Sequence, residues 1–188
     1  GVMRVATDQG IWVVPPRRAV WLPAGVRHEI GCAGRLAMRT LYIDPAAAPS
    51  LPQGCRVVDV PPLLRELILK AVTLPPLYEP DGPDGRLMQV ILDQIQVLEQ
   101  APLHLPMSTH PRLRPILDAM LARPEDDTGL DAWGRRLGAS SRTLARLFIA
   151  ETGMTFRAWR QQARLLAALA RLAAGEAVTT VALDLGYD

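Results

Sequence analysis

The chain has 188 residues, 49% of them hydrophobic, which is enough apolar material for one large or two small cores and too much for a disordered protein. Its net charge of +2 hides a segregation: Trp133–Ala174 holds eight arginines against Glu151 alone, +7, while the remainder holds thirteen bases against eighteen acids, −5. That asymmetry points to a polyanion partner for one part of the chain, since a merely solvated helix face would mix both signs.

The sequence opens at Gly1-Val2-Met3-Arg4 on an alternating pattern that does not resemble a signal peptide. Residues 1–58 read as β structure. Ile11–Val14, Ala19–Leu22, Leu36–Ile43 and Arg56–Val58 are short β-branched or apolar runs. Pro15-Pro16, Pro23-Ala24-Gly25 and Gly31–Gly34 punctuate them, as in an antiparallel sandwich or barrel. Both faces of Leu36–Ile43 are largely apolar, so this strand is expected to be covered on both sides. Cys32 and Cys55 show neither metal-ligand spacing nor a disulfide framework, which suggests a reduced, cytoplasmic setting. No apolar run reaches the roughly 20 residues needed to span a bilayer, so no membrane partner is expected.

After Pro61-Pro62 the period changes from two to about 3.6. Leu63, Leu64, Leu67, Ile68 and Val72 form a helical stripe that ends at Pro75-Pro76. Turn chemistry fills Tyr78–Gly85, and a second helix runs from Arg86 to about Gln100 with Leu87, Val90, Ile91, Ile95, Val97 and Leu98 apolar. These two helices could pack on the β half or pair with a second subunit as a homodimer. Pro102–Pro106 reads as a linker, and Pro111 as the first residue of the next helix. The rest is helical, broken at Pro124–Thr128, Gly138–Ser140, Gly153 and Gly175.

Within that half, Thr128 is placed to cap a helix, with Asp131 three residues on. Leu130, Trp133 and Leu137 share one face, and Gly138 stops the helix. Ser140 caps the next helix, which buries Leu144, Leu147 and Phe148 and ends at Gly153. Two short helices joined by a tight turn form the helix-turn-helix, whose second helix enters the major groove. Arg142 and Arg146 are four apart and share a face, where arginine can donate twice to guanine. Ser141 and Thr143 are candidates for phosphate or base contacts, and Arg135 and Arg136 for the backbone. The alternative is an ordinary helical hairpin, a protein-interaction module with a solvated arginine face.

The run Leu130–Phe148, continuing through Glu151–Phe156, Trp159-Arg160 and Arg164–Leu169, resembles the first helix-turn-helix of AraC/XylS-type regulators and the long helix that follows it. Val178–Asp188 resembles the first helix and turn of that family's second unit. The resemblance implies base contacts from Arg142, Ala145 and Arg146, with Ala145 able to offer only an apolar contact. It also implies a second reader after Asp188, so residues 1–188 are expected to bind DNA weakly and with strong salt dependence.

Pro23-Ala24-Gly25-Val26-Arg27-His28 is similar to the second motif of cupin barrels. Ahead of an AraC-type half, it implies a cupin-like effector domain. The other histidines, His104 and His110, lie far along the chain, so His28 reads as a structural or pocket residue rather than a metal ligand. Trp12, Trp21, Met38 and Tyr42 could line an apolar effector pocket with it, or could be plain core. The expected fold is therefore α+β: a partial cupin-like antiparallel barrel over 1–58, a helical connector over 59–106 and an all-helical DNA-binding half over 107–188. The expected function is a DNA-binding transcription regulator controlled by a small-molecule effector, with double-stranded DNA as partner and no cofactor. The alternative is a cupin metalloenzyme with a helical appendage, which would need three or four metal ligands where the sequence offers His28.

Overall fold

The computed structural model describes residues 1–96 and 98–187. Val97, counted above in the second helix, and Asp188, the last residue of the family resemblance, lie outside the described residues. In chain order the elements are β1 (Val2–Thr7), β2 (Gly10–Val14), β3 (Arg18–Trp21), β4 (Glu29–Ala33) and β5 (Arg56–Asp59), with a single 3-10 turn at Pro45–Ala47. Helices α1 (Pro62–Ala71) and α2 (Pro83–Gln96) follow, then the short strands β6 (Gln100–Ala101) and β7 (His104–Pro106). Five helices complete the chain: α3 (Arg114–Ala122), α4 (Leu130–Leu137), α5 (Ser141–Thr152), α6 (Phe156–Ala173) and α7 (Val178–Asp184).

The strands form two open antiparallel sheets, ordered β4-β1-β2-β7 and β3-β5-β6, and neither closes into a barrel. Strand β2 explains the architecture. All five of its residues are buried, and its side chains alternate between two cores. Trp12 and Val14 pack with Val5, Val57 and Ala101 between the sheets. Ile11 and Val13 face the other way and join Val2 and Leu105 in the core of the helical half. The first sheet is thus a middle layer. Its contact with the helices is fixed by polar bonds as well as by burial. Trp159 Nε1–H donates to the Pro106 carbonyl at 2.7 Å, and Gln162 Nε2–H to the Pro102 carbonyl at 2.6 Å.

Several expectations change here. Leu36–Ile43 is irregular rather than a strand, with Tyr42 95% and Met38 51% exposed. The double-faced apolar signal belongs instead to β2. The preceding β4 is fully exposed at the sheet edge, and within 36–43 Leu41 packs against the helices rather than in a sheet. Where a break is expected at Gly31–Gly34, Gly31–Ala33 pair with β1, because a partner strand outweighs weak local preference. Pro102–Pro106 is not a free linker: β7 pairs with β2, and Leu105 is buried. Pro111 lies in a turn before α3, which begins at Arg114. Helix α2 starts at Pro83 and ends at Gln96, earlier at both ends than the stripe suggested. Helices α1 and α2 pack chiefly on each other, burying Leu64, Ala71 and Ile91 with Leu41 and Val60 alongside.

Candidate nucleic-acid interface

The helical half has a dense core, shared with Ile11 and Val13 of β2. Leu113, Ile116 and Leu117 of the α3 region, Trp133 of α4, Leu144 and Phe148 of α5, and Phe156, Trp159, Ala163 and Leu166 of α6 are all buried together. Phe148 and Phe156 meet edge to face with ring centroids 5.2 Å apart, a favoured aromatic geometry. Helix α6, about 27 Å long at 1.5 Å per residue, is the spine on which the others rest.

Helices α4 and α5 form the helix-turn-helix. Gly138 and Gly153 end them in the left-handed region, with φ of 63° and 70°, as expected from the glycine positions. Ser140 caps α5 by accepting from the Thr143 N–H at 3.1 Å. The cap of α4 differs from expectation. Gly129, not Thr128, occupies it, and the N–H and the hydroxyl of Thr128 both donate to Asp126, at 2.7 and 2.6 Å. Those bonds hold the Asp126 carboxyl below its ordinary pKa. Asp131 accepts instead from the Ser141 hydroxyl, tying the first turn of α4 to the start of α5. Gly134 sits where α4 passes the turn: a Cβ there would lie 2.4 Å from the Ala139 carbonyl oxygen.

The arginines divide into two groups. Arg164 holds the 124–127 loop, donating to the carbonyls of Pro124 and Glu125 at 2.7 and 3.0 Å and to Asp127 at 2.7 Å. Arg160 lies 3.7 Å from Asp127, and Arg171 bridges Glu176 and Asp184 at 2.6 Å each. These three serve the fold. Arg135, Arg136, Arg142, Arg146 and Arg157 are exposed and form no ion pair among the described residues. Arg136 lies over the Trp133 ring at 4.9 Å. Glu151, the one acid of the segment, is turned about half a revolution from Arg142 and accepts from the buried Ser108 hydroxyl at 2.8 Å. The exposed stripe of α5 therefore carries Arg142 and Arg146 with no carboxylate of its own on that face, while Asp131 of α4 stands at its first turn.

The predicted DNA contacts are gathered on this unit. Arg135 borders a shallow depression with Gly138, Ser140 and Ser141, at the entrance to α5. Arg142 and Arg146 project from α5, and Ala145 is half-buried beside them. Ser141 and Thr143 have internal hydroxyl partners, Asp131 and Ser140. Ile149, a residue to which the sequence assigns no role, is 55% exposed on the same face as the two arginines. Its signal was present in the helical spacing.

The predicted effector residues are dispersed. Trp12 is buried between the sheets, stacked on His104 with centroids 4.5 Å apart. Trp21 donates through Nε1 to the Pro52 carbonyl at 2.7 Å. His28 is exposed, with Nδ1 2.9 Å from its neighbour Val26's carbonyl. Met38 and Tyr42 face solvent. Among the described residues no three His, Cys, Asp or Glu side chains come together as metal ligands, and no helix is long and apolar enough to cross a membrane.

A family profile described as a helix-turn-helix domain matches residues 133–188. Over its full length the chain is 37% identical to the HTH-type transcriptional regulator NimR of Escherichia coli, covering 68% of that protein. Over 82 residues, 44% of the chain, it is 30% identical to the HTH-type transcriptional regulator RipA of Corynebacterium glutamicum, covering 25% of it. No solved structure matches the chain.

Proposed function

Because the chain belongs to the AraC family of helix-turn-helix transcriptional regulators, we propose that it reads double-stranded DNA by placing α5 in the major groove. It is a DNA-binding regulator rather than a metalloenzyme. The observation that carries the proposed reading is the sorting of arginines: three are consumed by the fold, and those on α4 and α5 form no ion pair among the described residues. Arg142 and Arg146 read base edges, with Ala145 beside them against an apolar group. Arg135 and Arg136 hold the backbone from α4. Ser141 and Thr143 reach DNA only by exchanging an internal partner, so the weight of recognition falls on the arginines.

Residues 1–58, whose two sheets β6 and β7 complete, form the effector-binding half, α1 and α2 the connector and 107–188 the DNA-binding half of this reading. A small-molecule effector acts by favouring one arrangement of the halves over another, and the shared core through β2 and α6 supports such coupling. The exposed Leu63 of α1, Val72 at its C-terminal cap and Val90 of α2 support a homodimer. Regulation of this kind takes place in the cytoplasm, where the DNA is.

Fluorescence anisotropy on duplexes selected by the full chain tests the reading. Arg142→Ala and Arg146→Ala should each weaken binding about 5- to 150-fold, the range of one specific base contact, and binding should fall steeply with salt. Both arginines are exposed, so the variants should melt like the parent. Unchanged affinity in both would overturn the proposal and favour a protein-interaction module.

A further inference from the structure

We propose that Ile149 is a specificity residue of the reading face, contacting the 5-methyl group of a thymine. The inference rests on α5 being the recognition helix and extends what that helix reads. Helix α5 buries Leu144, Phe148 and Thr152, whereas Ile149 is 55% exposed and packs into none of the hydrophobic clusters among the described residues. At about 100° per residue, Ile149 falls about 20° from Arg142 around the axis, and Arg142, Arg146 and Ile149 span an arc of about 60°. Ala145 and Ile149 are four apart, so a short apolar strip runs beside the Arg142–Arg146 strip.

A single exposed isoleucine is unremarkable on a protein surface. Its place decides the matter here. Neighbouring cations draw the face onto DNA, and an apolar group flanking them is brought against base edges. Of the four base-pair orientations in the major groove, thymine supplies the methyl group, the one apolar feature of the code. A β-branched side chain in a helix holds one strongly preferred χ1, so Ile149 loses little freedom on contact. The arrangement gives α5 two chemistries: hydrogen bonding to guanine through arginine, and methyl recognition through Ile149 backed by Ala145.

The test uses the full chain and the duplex it selects from a random pool at low salt. Each thymine is replaced in turn by deoxyuridine, which removes only the 5-methyl group. At one position the parent should lose about fourfold in affinity, equivalent to about 0.8 kcal/mol for one buried methyl. Ile149→Ala should bind the thymine duplex more weakly by a similar factor and be indifferent to deoxyuridine at that position. The proposal fails if no thymine shows methyl dependence, or if Ile149→Ala keeps it. Arg142→Ala and Arg146→Ala separate the two levels of inference. If they lose affinity while every deoxyuridine duplex binds normally, only the role of Ile149 falls. If they too bind normally, or the pool yields no bound duplex, the reading of α5 itself falls.

Discussion

Replacing Gly134 by alanine sets two well-measured effects against each other. Gly134 lies inside α4, away from its ends, where alanine is favoured over glycine by about 1 kcal/mol. On propensity alone the variant would be more stable. The tertiary structure opposes this, because the added Cβ would lie 2.4 Å from the Ala139 carbonyl oxygen. Carbon–oxygen contacts settle at about 3.3 Å or more, so the turn must retreat by roughly 0.9 Å. The obstacle is backbone, not the end of a flexible side chain. Residues 138–140 also carry the Ala139 N–H bond to Gly134 at 3.0 Å and the Ser140 cap, so the shift strains both. Overpacking of this kind costs about 1–3 kcal/mol and a weakened cap about 1 kcal/mol. After the propensity gain, Gly134→Ala should be about 2 kcal/mol less stable. For a chain of this size that lowers Tm by about 4–8 °C. Thermal melts followed by circular dichroism, with urea midpoints alongside, measure it. A Tm equal to or above that of the parent would show that the turn yields freely and that the close approach does not constrain α4 against α5.

Two further outcomes follow from the β half. Arg17 has a φ of 66° in the turn closed by the Arg18 N–H to Pro15 carbonyl bond, a left-handed conformation that costs an ordinary residue about 1–2 kcal/mol. Arg17→Gly relieves this but adds freedom to the unfolded chain, so a net gain of up to about 1 kcal/mol is expected, and a lower Tm in thermal melts would refute the strain argument. His104, stacked on Trp12, is held below its ordinary pKa of 6.5, mainly by burial, with the Gln9 backbone bond opposing. The unfolded chain therefore binds the proton first. The contribution to stability is complete above 6.5 and is lost as pH falls through the lowered folded value. Urea midpoints between pH 5 and 7.5 should rise with pH in the parent, and the rise should shrink in His104→Phe; equal slopes in the two proteins would contradict it.

The DNA-binding half was legible because its signals are local. Gly138, Ser140 and Gly153 each act within a few residues, and the apolar spacing of Leu144 and Phe148 faces one core. The Thr128 cap does not form for an equally local reason: the helix begins one residue later, at the Gly129 cap, and Thr128 belongs to a turn with Asp126. The β half was less legible, because a strand is completed by a partner that need not be near in sequence. Nothing local in Pro102–Pro106 announces that it will pair with Gly10–Trp12, and nothing in the apolar Leu36–Ile43 announces that no strand will cover it.

By itself the sequence determined where the charge lies, where the helices break and which face of α5 stays out of the core. These depend on composition and on a period of 3.6 residues. Tertiary structure alone decided which arginines remain available. Arg164 meets Asp127 across 37 residues, and Arg171 meets Asp184 across thirteen. An ion pair is a matter of distance in space, so eight arginines of one sign in the sequence become three that hold the fold and five that face outward.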